Sequence, residues 1–107
     1  MIEIDFFEDD NGKEPFTEWF NGLKDTMARI KLRQRLDRMK QGNFGDVEPV
    51  GESVFETKID YGPGYRIYFA NLTKKKVLIL YGGGKGTQKK DIKKVHGYYK
   101  KHKLGEQ

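Results

Sequence analysis

Three cationic side chains are spaced so that they could act together on a phosphate group. Lys58 and Arg66 lie on adjacent predicted strands, and Lys85 lies in a glycine-rich segment after a third strand. Strand alternation puts Lys58, Arg66 and Tyr68 on one face. A guanidinium could stabilise the charge that develops when a ribose 2′-hydroxyl attacks the adjacent phosphate. A lysine crowded by cations could accept the proton, and a tyrosine could stack on a base.

The same strand residues also have a purely structural interpretation. Lys58 and Arg66 could pair with Glu56 and Asp60 across a hairpin and contribute only to the sheet. From the residues alone, both interpretations stay open.

Other common chemistries find little support. The chain has no cysteine, which excludes disulfides and cysteine nucleophiles, and its two histidines are six positions apart, unlike the usual i, i+4 zinc pair. The acidic residues gather near the N-terminus, where strand alternation already explains several of them. The segment GGGKG lacks the spacing of a Walker phosphate loop. We therefore expect neither a metal nor a cofactor.

Charge is unevenly distributed along the 107 residues. Residues 1–20 contain seven acidic residues and one lysine, whereas the rest contain 20 basic and nine acidic residues. A basic body is typical of a polyanion-binding protein, although lysine-rich helices can also be simply solvated. No apolar run approaches the roughly 20 residues that span a bilayer, and the acidic N-terminus is unlike a signal peptide. These features predict a cytoplasmic protein.

Hydrophobic periodicity predicts the elements that would position these residues. Residues 1–7 alternate as a strand, Pro15 begins a helix with an aromatic stripe, and Asp25 caps a second helix that stops at Gly42. Residues 43–53 are predicted to form a loop. Strands follow at 54–61, 65–72 and 77–81. Residues 82–86 are predicted to be a flexible loop. Thr87 is expected to cap a final helix, and the polar tail from Lys100 to Gln107 is expected to fray.

This order, β-α-α-β-β-β-α, predicts one α+β domain over residues 1–107 with an antiparallel sheet. The helical hairpin should pack on the face that carries Phe55, Ile59, Ile67 and Phe69. The opposite face, with Lys58, Arg66 and Tyr68, is then expected to be open to water. On that expectation, Arg66→Ala would abolish the phosphate chemistry described above and leave the fold intact.

Several segments resemble the RelE/ParE superfamily of bacterial toxins, in particular its HigB-like and phage Gp49-like addiction-module killer proteins. They are FTEWFNGLKD, the stretch from ARIKLRQRLDRMK to YRIYF, and GGGKGTQKKDIKK. The resemblance covers about residues 1–100. It implies a RelE-like fold and the toxin of a type II toxin–antitoxin pair, neutralised by a small antitoxin that often has a helix-turn-helix domain.

The resemblance also implies an activity. RNA-cutting members cleave mRNA on the translating ribosome, whereas ParE-like members inhibit DNA gyrase without cutting. Arg66, which follows Gly64 and Tyr65, matches the arginine that contacts the scissile phosphate, and Lys58 and Lys85 match neighbouring basic positions. We expect a ribosome-dependent mRNA endoribonuclease that needs no metal, with gyrase inhibition as the alternative.

RNA contacts are expected from four further residues: Tyr68, Tyr81, Lys89 and Lys90. The sequence departs from the superfamily pattern at two positions. Well-studied members carry a second arginine in the loop and a tyrosine on the following helix, and the corresponding residues here are approximately Gly86 and Ile92. The role of that tyrosine could pass to Tyr68, Tyr81 or Tyr98, or be absent. The expected partners are the cognate antitoxin and ribosome-bound mRNA, with no membrane.

Overall fold

The computed structural model describes residues 1–105, which form a five-stranded sheet with helices packed on both faces. The strands are β1 (Glu3–Phe6), β2 (Asp46–Gly51), β3 (Val54–Ile59), β4 (Tyr65–Thr73) and β5 (Lys76–Gly84). The helices are α1 (Pro15–Asn21), α2 (Thr26–Lys40) and α3 (Gln88–Gly105), with a 3₁₀ turn at Lys85–Thr87 before α3.

The sheet is mixed rather than wholly antiparallel. Its strand order is β1-β5-β4-β3-β2; β1 runs parallel to β5, and the other neighbours are antiparallel. The α+β class is confirmed. The expectation of an antiparallel sheet is wrong at β1, because the connection through α1, α2 and the following strands returns the chain beside β1 in the same direction.

The predicted helical hairpin packs on the predicted face of the sheet. Pro15 is the first residue of α1, and the Asp25 carboxylate caps α2 by accepting hydrogen bonds from the amides of Met27 and Ala28. The main core joins these helices to the sheet through Phe16, Phe20, Leu32, Met39, Ile59, Ile67, Phe69, Val77 and Ile79. Burial of this many large apolar side chains holds the hairpin against the sheet.

The opposite face is covered by α3, so the expectation that it is open to water is wrong. A second core joins Val95 of α3 to residues of β3, β4 and β5 and to Phe7. Its buried members are Phe7, Val54, Tyr68, Ala70, Leu78, Leu80 and Val95. The alternation of the strands showed apolar residues on both faces of the sheet. It could not show that α3 would cover the face opposite the helical hairpin.

Two predicted loops are strands. Residues 46–51 form β2, an edge strand whose side chains are mostly exposed, so it lacks the apolar alternation that marks a strand. Pro49 fits there because an edge strand tolerates a missing amide. Gly82 and Gly83, predicted to be in a flexible loop, are buried within β5.

Close packing explains these two glycines. A Cβ at Gly82 would overlap the Trp19 ring on one face of the sheet, and a Cβ at Gly83 would overlap the Asp91 carboxylate on the other. Glycine therefore lets α1 and α3 approach β5 from opposite sides.

The predicted frayed tail is wrong in the part that the structure describes, because α3 continues to Gly105. The last two residues, 106 and 107, lie outside the described residues. None of the helices in residues 1–105 combines the length and apolar character needed to cross a membrane.

Candidate functional site

The three cations singled out from the sequence line one surface pocket. Lys58 of β3 lies directly opposite Arg66 of β4 in the strand register, and Lys85 follows the end of β5. The pocket has a volume of about 420 Å³ and is lined by Asp46, Lys58, Ile59, Asp60, Gly62, Pro63, Gly64, Tyr65, Arg66 and Lys85. Thus three separate elements bring Lys58, Arg66 and Lys85 to one concavity at the end of the sheet.

The pocket is basic but contains both signs of charge. Its lining includes the three cations and two exposed carboxylates, Asp46 and Asp60. Lys58 Nζ lies 3.4 Å from a carboxylate oxygen of Glu48 on the neighbouring edge strand. Lys85 is exposed at the pocket rim. An anionic ligand would therefore meet one solvent-exposed lysine, one lysine shared with Glu48, and Arg66.

Arg66 is buried, with 8% of its surface exposed, so the expectation that it faces outward is wrong. Its Nε donates to the carboxylate of Glu56 at 3.4 Å, and Glu56 is 1% exposed. The structural interpretation is therefore correct for Arg66, which pairs with Glu56, whereas Lys58 pairs with Glu48 rather than Asp60. The contact uses Nε, so within residues 1–105 the two terminal amino groups of the guanidinium remain for a ligand in the pocket.

The first turn of α3 adds a polar cluster behind Arg66. Gln88 donates from Nε2 to the second oxygen of Glu56 at 2.9 Å. Thr87 donates to the buried carboxylate of Asp91 at 2.6 Å. Asp91 lies against Gly83, which is the β5 partner of Arg66 in the strand register. The buried Glu56–Arg66 pair is thus joined to the start of α3 through Gln88, and the buried Asp91 is held nearby by Thr87.

Tyr68 lies in the second core and is fully buried, so the expected contact between its ring and RNA has no exposed surface to use. Its hydroxyl has no hydrogen-bond partner among the described residues. Burial raises the pKa of this hydroxyl, and the carboxylates of Asp91 and Glu56 act in the same direction, against the opposing charge of Arg66. A neutral phenol under α3 is therefore the form that the fold stabilises.

The remaining predicted RNA contacts are not brought to the pocket. Tyr81 is half-buried, meets Tyr98 of α3 edge to face, and has the ammonium of Lys94 over its ring at 5.3 Å from the centroid. Lys89 and Lys90 are exposed on the first turn of α3 and are not among the pocket-lining residues. Their proposed role in binding RNA stays a prediction.

Two supporting residues, Gln88 and Arg35, were missed by sequence reasoning. Glu56 was considered only as a partner in the structural interpretation, and no pattern around Gln88 indicated its role. Arg35 was one of many cations on α2; its guanidinium donates to the Thr57 hydroxyl and, at 2.9 Å, to the Lys58 carbonyl. Arg35 therefore fixes the backbone of the residue that supplies one cation of the pocket.

A second concave surface, of about 460 Å³, lies beside α3 and contains none of the three cations predicted to be catalytic. It is lined by Glu52, His96, Gly97, Tyr99, Lys100 and Lys103. His96 Nε2 lies 2.9 Å from the Val50 carbonyl, a contact that ties α3 to β2. We interpret His96 as a packing residue.

Comparison with known proteins places the chain beside a relative of similar size. An uncharacterized protein of Haemophilus influenzae is 44% identical over 80 residues, which are 75% of this chain and 81% of that protein. The chain belongs to the same family as this Haemophilus influenzae protein. No family model matches the sequence.

Proposed function

We propose that this member of the family is the toxin of a type II toxin–antitoxin pair, with a RelE-like fold, and that it acts as a ribosome-dependent mRNA endoribonuclease. The observation that carries the proposal is the convergence of Lys58, Arg66 and Lys85 on one open pocket. These residues were chosen from sequence positions on three elements, and a shared pocket is what an RNA-cleaving site would require. The helical hairpin on one sheet face and the C-terminal helix agree with the fold that the resemblance implies.

The proposed reaction is internal transfer of the phosphate. The ribose 2′-oxygen forms a bond to phosphorus while the bond from phosphorus to the 5′-oxygen breaks. The 2′-hydroxyl loses its proton and the departing 5′-oxygen gains one, which leaves a 2′,3′-cyclic phosphate and a 5′-hydroxyl. Negative charge builds on the non-bridging oxygens in the transition state, and fixed donors at that point lower the barrier.

Each pocket cation has a proposed role. Arg66 contacts the non-bridging oxygens through its terminal amino groups, because its Nε is held by Glu56. Lys58, whose ammonium contacts Glu48, neutralises phosphate charge from the β3 side. Lys85, exposed at the rim, contacts the phosphate from the other side or supplies the proton for the 5′-oxygen.

The proposed antitoxin covers this same pocket. An acidic segment laid over Lys58 and Lys85 would match their charge and block access of mRNA. Because α3 already covers the rest of that sheet face, the masking segment needs to reach only the pocket end of β3 and β4.

Gyrase inhibition without cleavage is the second candidate. It is favoured by the buried Glu56, which offsets the charge of Arg66, and by the burial of Tyr68 away from the pocket. Both features reduce the groups available for catalysis while leaving a surface that could bind another protein.

The test uses lysines rather than Arg66, because removing Arg66 would leave a buried carboxylate unpaired. We would induce the wild-type protein, a Lys58→Ala/Lys85→Ala variant and a Lys74→Ala/Lys76→Ala control, and map mRNA 5′ ends by primer extension. Lys74 is exposed and Lys76 pairs with Glu3 and Asp5, so the control removes one exposed and one paired lysine at the opposite end of β4 and β5.

The wild-type and control proteins should produce new mRNA ends within minutes and stop growth. The pocket variant should reduce cleavage by about 100-fold, as expected for lost transition-state contacts. Loss of DNA supercoiling without new mRNA ends would select gyrase inhibition instead. Full cleavage by the pocket variant would reject the assignment of the site.

A further inference from the structure

Glu56 lies at the centre of a buried chain of contacts behind the pocket. One carboxylate oxygen accepts from Arg66 Nε at 3.4 Å and the other accepts from Gln88 Nε2 at 2.9 Å. Glu56 is 1% exposed, whereas Gln88 is half-buried at the start of α3. A buried carboxylate of this kind needs donors on both oxygens, and the fold supplies them from two different elements.

This chain of contacts links the three elements that carry the pocket cations: β3, β4 and the 3₁₀ turn before α3. Glu56 and Lys58 are on β3, Arg66 is on β4, and Gln88 directly follows the 3₁₀ turn that begins with Lys85. The Glu56–Gln88 hydrogen bond therefore ties the Lys85 segment to the strand that carries Lys58. The Glu56–Arg66 contact ties the third cation to the same point.

We propose that Glu56 and Gln88 are positioning residues, which orient Arg66 and hold the Lys85 segment at a fixed distance from it. This inference rests on the proposed function for its consequence in catalysis, but the orientation of Arg66 is testable without it. A guanidinium is planar, so fixing Nε also fixes the direction in which its terminal amino groups point. Loss of the Gln88 donor frees the carboxylate to turn, and Arg66 turns with it.

The first experiment observes Arg66 directly by NMR of its Nε–Hε group. Gln88→Leu removes the donor and retains side-chain volume, and Gln34→Leu, on the exposed surface of α2, is the matched control. We expect the Arg66 Nε–Hε signal to shift and its proton to exchange about tenfold faster in Gln88→Leu, and to stay unchanged in Gln34→Leu.

Glu56→Gln provides a second variant, and it should move the same signal because Arg66 then loses its anionic acceptor. If Gln88→Leu fails to fold, Gln88→Ala replaces it in the comparison. An Arg66 signal that is unchanged in folded variants of both Glu56 and Gln88 would overturn the positioning role.

The second experiment measures cleavage in a reconstituted translation reaction. A displaced catalytic group slows the chemical step, so Gln88→Leu should lower kcat by about 10- to 100-fold and change KM by less than about twofold. A rise in KM with unchanged kcat would overturn the inference. If the wild-type protein cleaves nothing, the proposed function fails, and the NMR comparison alone decides whether Glu56 and Gln88 orient Arg66.

Discussion

Replacing Arg66 by methionine should destabilise the fold strongly, although Arg66 was expected from the sequence to lie on an open surface. Methionine keeps most of the side-chain volume but removes the cation that faces Glu56, which is 1% exposed. Breaking a buried ion pair by removing one partner costs about 3–5 kcal/mol, because the remaining charge stays buried and unpaired. At about 4 °C per kcal/mol for a chain of this size, the melting temperature should fall by about 12–20 °C.

The compensating variant separates the charge effect from the packing effect. In Arg66→Met/Glu56→Gln no charge remains, and the new amide can still accept the hydrogen bond from Gln88. We expect the double variant to recover at least about 2 kcal/mol relative to Arg66→Met alone. Urea unfolding followed by the fluorescence of Trp19, the single tryptophan of the chain, measures all of these free energies.

Either of two results would refute this reasoning. One is a loss of less than about 1 kcal/mol in Arg66→Met, and the other is a double variant no more stable than the single one. If the prediction holds, loss of toxicity in an Arg66 variant cannot by itself identify a catalytic residue, because an unfolded protein would be inactive too.

Three further predictions concern the interior beneath α3. Gly83→Ala should cost about 1–3 kcal/mol in urea unfolding, since its Cβ would overlap the buried Asp91 carboxylate. Gly86→Ala should change stability by less than about 0.5 kcal/mol, because within residues 1–105 only its chain neighbours could lie within 4 Å of its Cβ. Equal effects would contradict this packing. Tyr68→Phe should be neutral or stabilising by up to about 1 kcal/mol, because it removes a buried hydroxyl that has no hydrogen-bond partner among residues 1–105. A loss of more than about 1 kcal/mol would contradict the absence of a partner. Because the pKa of Tyr68 is raised in the fold, the unfolded chain releases this proton at lower pH than the folded chain. The free energy of unfolding of the wild-type protein should therefore fall as pH rises above about 10, and it should fall less steeply in Tyr68→Phe. Parallel pH profiles of the two proteins would contradict this prediction.

Much of the local structure was decided by the sequence alone. Pro15 and Asp25 fix the starts of α1 and α2 because a proline suits a first helical turn and a carboxylate can accept from free amides. The aromatic stripe of α1 and the alternation of β3 and β4 likewise predicted the main core. These signals are local, and each depends on residues within a few positions of one another.

The sequence also identified the pocket cations, but not their surroundings. Alternation along the two hairpin strands placed Lys58 and Arg66 on one face. Lys85 was expected in a flexible loop beyond the strand predicted at 77–81, whereas it directly follows the longer β5. Burial of Arg66 against Glu56 did not follow, because it depends on α3 returning over that face from beyond β5.

The tertiary structure decided what covers each surface, where the edge strand β2 lies and why β5 carries buried glycines. Gly82 and Gly83 gave a loop signal because glycine lowers strand propensity, and only the positions of Trp19 and Asp91 explain them as packing sites. Gln88 is the simplest example of a contact that local sequence cannot reveal. No residue near it in the sequence indicates its role, because its partner Glu56 is 32 residues away. Local chemistry selects elements and faces, whereas contacts between distant segments decide which charges are buried, and those contacts form only when the elements pack.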